Sequence, residues 1–208
     1  MAFVVQAKEK RETTKIKAQE LAKEQKQVSV SEFFLKNRHL LGFDSPLKAL
    51  STTVKELVDN ALDACEEMRV LPEILVEIRQ TAENKFLIIV EDNGPGIVRS
   101  QMANVFARLL YGSKFHAMKQ GRGQQGIGVS ASILYGQLTT GKPAIITSRI
   151  DAKHPAYYIQ LRINTAKNEP DVLVEKEIEW FNKEHGTRVE IELEGKYEKG
   201  KLSVDEYM

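Results

Sequence analysis

A single cysteine, Cys65, is present among 208 residues, so no intrachain disulfide can form and the chain suits a reducing compartment. No apolar run nears the roughly 20 residues that a bilayer-spanning helix needs. The first 27 residues turn polar after the fifth and lack the apolar centre of a signal peptide. A cytoplasmic location is the expectation. Net charge is nearly missing too: 30 basic against 29 acidic residues leave +1. A domain that held DNA by bulk electrostatics would be more basic, which argues against autonomous DNA binding and leaves a local patch open. No internal repeat is visible.

The most informative absence is local. From Asn93 to Ile150 there is no Asp or Glu in 58 residues, where the chain's average of 29 in 208 predicts about eight. The same span holds seven basic residues and the string GRGQQGIGVSAS (121–132), with Gly121, Gly123, Gly126 and Gly128. An acid-free, basic, glycine-rich segment suits a polyanion. Glycine N–H groups running into a helix start favour a compact phosphate chain over nucleic acid. Three familiar phosphate motifs are excluded. G-x-x-x-x-G-K-[ST] does not occur, no strand precedes the G-x-G-x-x-G as a dinucleotide fold requires, and the Val-Ala-Ile-Lys strand of a protein kinase is missing.

The 42% hydrophobic and 28% charged residues are ordinary for a globular chain, long enough for one substantial core. Residues 6–27 carry only Ile16 and Leu21 as large aliphatics and cannot bury enough to hold themselves. Ser29 with Glu32 reads as a capping box for a short helix. Ser45 and Pro46 open a long one, whose apolar residues keep a helical period from Leu47 to Met68, with Pro72 as its stop. Strands are expected at 73–80 and 85–92 as a hairpin, then helices at 99–110 and 126–138 around a loop at 111–125. Strand-like runs follow at 143–150, 156–163, 172–179 and 187–194. Helices alternating with hairpin-linked strands predict an α+β chain, a two-layer α/β sandwich with helices on one face of a mixed, mainly antiparallel sheet.

Three further stretches carry chemistry. In VKELVDNALDACEE (54–67), Glu56, Asn60 and Asp63 share one side of the helix, opposite Val54, Val58, Ala61 and Cys65. A solvated face explains that alone. So does a general base with an amide one turn on that can ligate a hard cation. In EDNGPGI (91–97), Asp92 ends an apolar strand where a carboxylate can accept from an exocyclic amine, and Gly94 and Gly96 let backbone approach a flat ring. Asp-Asn-Gly is also an ordinary turn. In EHGTRVEIEL (184–193), Thr187 opens the last strand, either as a β-branched start or as a hydroxyl facing a ligand.

In this order, ELVDNALDA (56–64), DNGPGI (92–97), GRGQQGIG (121–128) and Thr187 resemble the nucleotide site of the Bergerat-fold (GHKL) ATPases, such as gyrase B and the histidine kinases. SEFFLKNRHLLGF (31–43), LLYGSKF (109–115) and GVSASILYGQL (128–138) narrow the likeness to the B subunits of DNA topoisomerase VI, over nearly the whole chain. That resemblance implies ATP and Mg²⁺ as cofactors. Glu56 would polarise the attacking water and Asn60 would ligate Mg²⁺. Asp92 would bind the adenine amine, with Gly94 and Gly96 beside the ring. Ser113 and Lys114 would lie in a lid. Gly121, Gly123, Gln124, Gln125, Gly126, Ile127, Gly128, Val129 and Ser130 would wrap the phosphates, Thr187 would support the adenine through water, and Asp63 would back the pocket less directly. Asp59 and Glu67 read as ordinary surface.

The resemblance further implies ATP-dependent homodimerisation of the B subunits, a heterotetramer with the A subunits, and double-stranded DNA passage by the full complex. Residues 1–28 are expected as an arm, 29–195 as the ATP-binding domain, and 196–208 as the start of a linker to downstream domains. Since the family's transducer lysine lies beyond this sequence, turnover by the 208 residues alone is expected to be weak. Two alternatives share the fold. A phosphotransfer kinase would need a histidine in a helix pair, which none of His39, His116, His154 and His185 has. A nucleotide-dependent interaction module would bind without turnover.

Overall fold

The computed structural model describes residues 29–109, 111, 127–180, 182–200 and 203–208. Helix α1 (Val30–Asn37) starts at Ser29, whose hydroxyl accepts from Glu32 N–H at 3.2 Å. The Glu32 carboxylate accepts from Lys36 at 2.7 Å, so this is one half of a capping box. Helix α2 (Pro46–Met68) is capped by Ser45, has Pro at its first turn, and stops at Arg69 in the left-handed region (φ 61°). The stop therefore precedes Pro72, and a residue with positive φ supplies it.

Strands β1 (Leu75–Ala82) and β2 (Lys85–Glu91) form the expected hairpin, turning through Asn84 at φ 55°. Helices α3 (Arg99–Ala107) and α4 (Gly128–Thr140) come next, then strands β3 (Ala144–Arg149), β4 (Ala156–Asn164), β5 (Glu169–Ile178) and β6 (Gly186–Glu194), and a last short helix, α5 (Val204–Tyr207). The sheet order is β1-β2-β6-β3-β4-β5, and all five pairings are antiparallel. The final strand thus slots between β2 and β3, which brings Thr187 beside Ser148 and Asp92.

Helix α3 ends earlier than its sequence suggested. The Asn168 side chain, on a residue at φ 54°, accepts from Leu109 N–H at 2.9 Å and donates to Leu109 C=O at 3.1 Å. That clamp takes the groups that another helical turn needs. Strand β5 begins before Pro170, which an edge strand tolerates because no neighbour needs its N–H.

Alternate residues of the sheet face the helices. Ile88, Val90, Ile146, Leu161, Val189 and Ile191 pack under Leu50, Val54, Leu57 and Ala61 of α2 and Ile133, Leu134 and Tyr135 of α4. Each buried aliphatic of that kind contributes about 1.5–3 kcal/mol. At one end Phe43 joins Phe34 and Tyr135, with ring centres 5.6 and 5.2 Å apart. Helix α4 lies close to β6 because it has Gly136 there. An added Cβ would sit 2.7 Å from Glu192 C=O and 2.9 Å from the Ile191 side chain.

This proximity sets a test. Gly136→Ala gains about 0.5–1 kcal/mol of helix preference and loses about 1–3 kcal/mol to overpacking against backbone. The variant is expected to melt below the parent in a thermal scan; an equal or higher Tm would show that α4 can shift off the sheet.

Candidate functional site

Helix α2, the β2–α3 loop, α3, the start of α4 and the ends of β2 and β6 enclose a cavity of about 280 Å³. Two larger hollows, of about 630 and 670 Å³, open beside the C-terminal residues and between α3 and β4–β5. Neither collects the polar groups that the sequence singled out, whereas the 280 Å³ cavity collects most of them.

At one end lies Asp92. The residue is 7% exposed, and its Oδ1 accepts from Gly94 N–H at 2.8 Å and Thr187 N–H at 3.1 Å. Its own N–H donates to Thr187 C=O at 2.9 Å. Burial pushes the carboxyl above the ordinary aspartate value, and the two N–H donors and the nearby Lys183 oppose that rise.

The loop around it is built by close backbone contact. Gly96, at φ 68°, has no room for a Cβ because Arg149 C=O occupies the place, and Gly186, at φ 139°, lies as tightly on Asp92 C=O. Gly94 does not line the cavity. It serves by its N–H and by leaving space for Ala64, 2.9 Å from where a Cβ would be. Behind the loop, Ser148 is fully buried: it accepts from Ile97 N–H at 2.8 Å, donates to Gly186 C=O at 3.0 Å, and sits 3.1 Å from the Thr187 hydroxyl. His185 Nδ1 lies 2.9 Å from Gly94 C=O.

At the other end lie Glu56, Asn60 and Asp63 of α2, facing Gly128, Val129 and Ser130 of α4. The Glu56 carboxylate occupies the space that a side chain on Gly128 would take. A side chain there would displace the Glu56 carboxylate from this position. Ile127, at the N-cap of α4, supplies no side-chain cap, and Gly128, Val129 and Ser130 of the first turn line the cavity at the positive end of the helix dipole. The Ser130 hydroxyl turns back to Ile127 C=O at 3.0 Å. Asn60 donates from Nδ2 to Glu56 C=O at 2.6 Å, which turns Oδ1 away from the helix.

The structure thus brings Glu56, Asn60, Asp63, Asp92, Gly96, Gly128, Val129, Ser130 and Thr187 to one cavity. Ile127 is buried just behind it. Ser113, Lys114, Gly121, Gly123, Gln124, Gln125 and Gly126 lie outside the described residues. Glu67, read as surface, is exposed and stands at the rim. Asp59, read the same way, is buried on the flank of that polar side, where Lys55 (2.5 Å) and the Tyr207 hydroxyl (2.9 Å) donate to it.

Sequence reasoning missed the walls: Ala64, Ile97, Val105, Phe106 and Tyr111. It missed Ser148, whose only signal was a serine on the inward-facing register of β3. Asn93 proves structural. Its amide oxygen accepts from Glu73 N–H (2.9 Å) and the Cys65 thiol (3.1 Å), and its nitrogen donates to Leu71 C=O. Burial holds that thiol in its neutral form, pushing its pKa up.

The cavity thus has a buried acceptor at one end, apolar walls, and an acid facing a helix start at the other. Residues 48–192 match the family model for histidine kinase-, DNA gyrase B- and HSP90-like ATPases. The chain belongs to that family. Among curated relatives it is 56% identical over 192 residues to the B subunit of type 2 DNA topoisomerase 6 from Methanosarcina barkeri, covering 92% of this chain and 31% of that one. It is 53% identical to the protein of the same name from Archaeoglobus fulgidus, over 88% of this chain and 30% of the relative. The chain therefore spans about a third of the length of these relatives. A solved structure, the 43K ATPase domain of Thermus thermophilus gyrase B in complex with an aminocoumarin, aligns with a TM-score of 0.47 at 16% identity, over 77% of this chain and 38% of that one. The matched span begins two residues inside α2 and ends in β6, so in this member of the ATPase family it contains every residue described above as facing the cavity.

The raised Asp92 carboxyl has a consequence for stability. Because the folded state holds that proton more tightly than the unfolded chain, ionisation costs stability as pH rises above the ordinary value of 3.8, and the cost is complete above the raised value. Asp92→Asn keeps an oxygen for both N–H donors and removes the charge. Its urea midpoint is expected above the parent's at pH 7–8, with the gap narrowing toward pH 4; a gap that grows on acidification would reverse the assignment.

Proposed function

We propose that this chain is the ATP-binding and ATP-hydrolysing module of the B subunit of a type 2 DNA topoisomerase 6. One observation carries it: the Glu56 carboxylate lies against Gly128 at the uncapped start of α4, at the far end of the cavity from buried Asp92. A nucleotide laid along the cavity puts its base amine on Asp92 and its phosphates on the N–H groups of Gly128, Val129 and Ser130.

Glu56 then faces the terminal phosphate. It takes a proton from a water as that water attacks phosphorus in line with the departing phosphate oxygen. General base action of this kind contributes about 10²–10⁴ in rate, and the α4 dipole stabilises charge that builds on the phosphate oxygens. The residues present fit Mg²⁺ as a companion. Among the described residues there is no group of three or more His, Cys, Asp or Glu that could cage a cation, and Mg²⁺ is commonly held by one or two protein oxygens with waters and phosphates. Asn60 Oδ1 would hold it, and the ion would neutralise phosphate charge.

In the longer proteins, ATP binding would draw two B subunits together and gate passage of double-stranded DNA in a complex with the A subunits. The 56% identity to a topoisomerase 6 B subunit supports that reading. The near-neutral composition argues against DNA binding by this chain through bulk charge alone. Residues 1–28 would serve as an arm and 196–208 as the approach to downstream domains. A cytoplasmic setting fits the lone cysteine, and among the described residues no helix is long and apolar enough to cross a membrane.

Calorimetric titration with a non-hydrolysable ATP analogue and Mg²⁺, alongside sedimentation, is expected to show binding and a shift toward dimer. Glu56→Gln should keep affinity within about threefold and slow single-turnover hydrolysis at least about 100-fold. Absence of binding by the parent would overturn the function, and full turnover by the variant would overturn the base.

A further inference from the structure

Ser148 belongs to none of the four nucleotide motifs, and it contributes no surface to the cavity. It is nevertheless fully buried in the middle of the base end, with three polar neighbours and one proton to share among them. A serine hydroxyl has one donor and two acceptor lone pairs. Ile97 N–H at 2.8 Å can only donate, so it takes one lone pair. Gly186 C=O at 3.0 Å can only accept, so it takes the proton; with no proton between them the two buried oxygens would repel. What remains for Thr187 Oγ1, at 3.1 Å, is the second lone pair of Ser148. The Thr187 hydroxyl must therefore donate to Ser148, and its own lone pairs are what it presents to the cavity that it lines.

Both side-chain groups at the base end are then acceptors: Asp92 as a carboxylate, and Thr187 because Ser148 consumes its proton. We infer that Ser148 is a specificity-determining residue of the nucleotide site, one that fixes Thr187 as an acceptor and so selects a purine presenting an amine rather than a carbonyl at its six-position. The inference rests on the nucleotide reading given above and adds to it a residue that acts through another. An adenine amine, or a water donating from beside it, meets two acceptors. A keto purine brings a third acceptor to a place where neither of these two side chains offers a donor, and an unpaired buried polar group is what gives such sites their discrimination. Without Ser148, the Thr187 hydroxyl is released to turn its proton toward the cavity, where it can satisfy a carbonyl.

The probes are ADP and IDP with Mg²⁺, which differ at the six-position in carrying an amine or a carbonyl, titrated by calorimetry into the 208-residue chain and its variants. The parent is expected to prefer ADP by at least about tenfold. Ser148→Ala should cut that preference at least about fivefold, chiefly by weakening ADP, and Ser148→Thr, which keeps the hydroxyl, should restore it. Loss of the Ile97 contact alone would weaken both nucleotides alike. An unchanged ADP/IDP ratio in a folded Ser148→Ala variant therefore overturns the inference and leaves the function standing. Should Ser148→Ala fail to fold, Thr187→Val carries the test: the preference falls if the Thr187 lone pairs supply it, and a preference retained in full overturns the inference. A parent that binds neither nucleotide overturns the function and the inference with it.

Discussion

The hydrogen bonds that converge on Asp92 hold two strands and a loop in one arrangement. Its Oδ1 takes N–H groups from Gly94, two residues on, and from Thr187, on the strand laid beside it. The backbone of Asp92 and Thr187 pairs as well. Around that junction, Gly96 presses on Arg149 and Gly186 presses on Asp92, each at a positive φ that admits little but glycine. The exit of β2, the end of β3 and the start of β6 are in effect one knot. The floor of the cavity follows from it, because Ile97 and Thr187 have no other place to go.

A division of labour follows from the charge pattern. Among the described residues, every carboxylate lining the cavity comes from before Asn93: Glu56, Asp63 and Glu67 from α2, and Asp92 from just after β2. The acid-free span beyond Asn93 supplies backbone donors and apolar walls. The chain thus keeps its acids on one shore of the cavity and its anion-binding groups on the other. At the Glu56–Gly128 contact the two shores meet, and that is where the proposed chemistry lies.

Much of this was legible in sequence, for local reasons. Ser45 and Pro46 announce a helix start wherever they fall before an apolar period, and Gly128 onward is a helix start after glycines. The two-layer sandwich followed from hairpin-linked strands alternating with helices. What escaped depended on partners distant in sequence. Asp59 sits on the polar side of α2 by any helical wheel, yet it is buried, because a tyrosine 148 positions later lands on it. Ser148 looks like a polar residue in a strand until β6 is inserted beside β3. Helix α3 stops short because Asn168 competes for the groups of Leu109. Periodicity reads a segment against itself and cannot register a competitor from elsewhere in the chain.

The contact between Tyr207 and Asp59 gives helix α2 two masters. Glu56 and Asn60 face the cavity, and Asp59, between them in sequence, is gripped on the flank by α5, with Val204 anchored in the core and Lys196 N–H reaching Pro46 C=O at the head of the same helix. Lys196 and Tyr207 therefore hold α2 at its head and at its middle, like two hands on a lever. The hydrogen bond from Tyr207 falls within one helical turn of both Glu56 and Asn60, so the last helix and the cavity share a single stretch of α2.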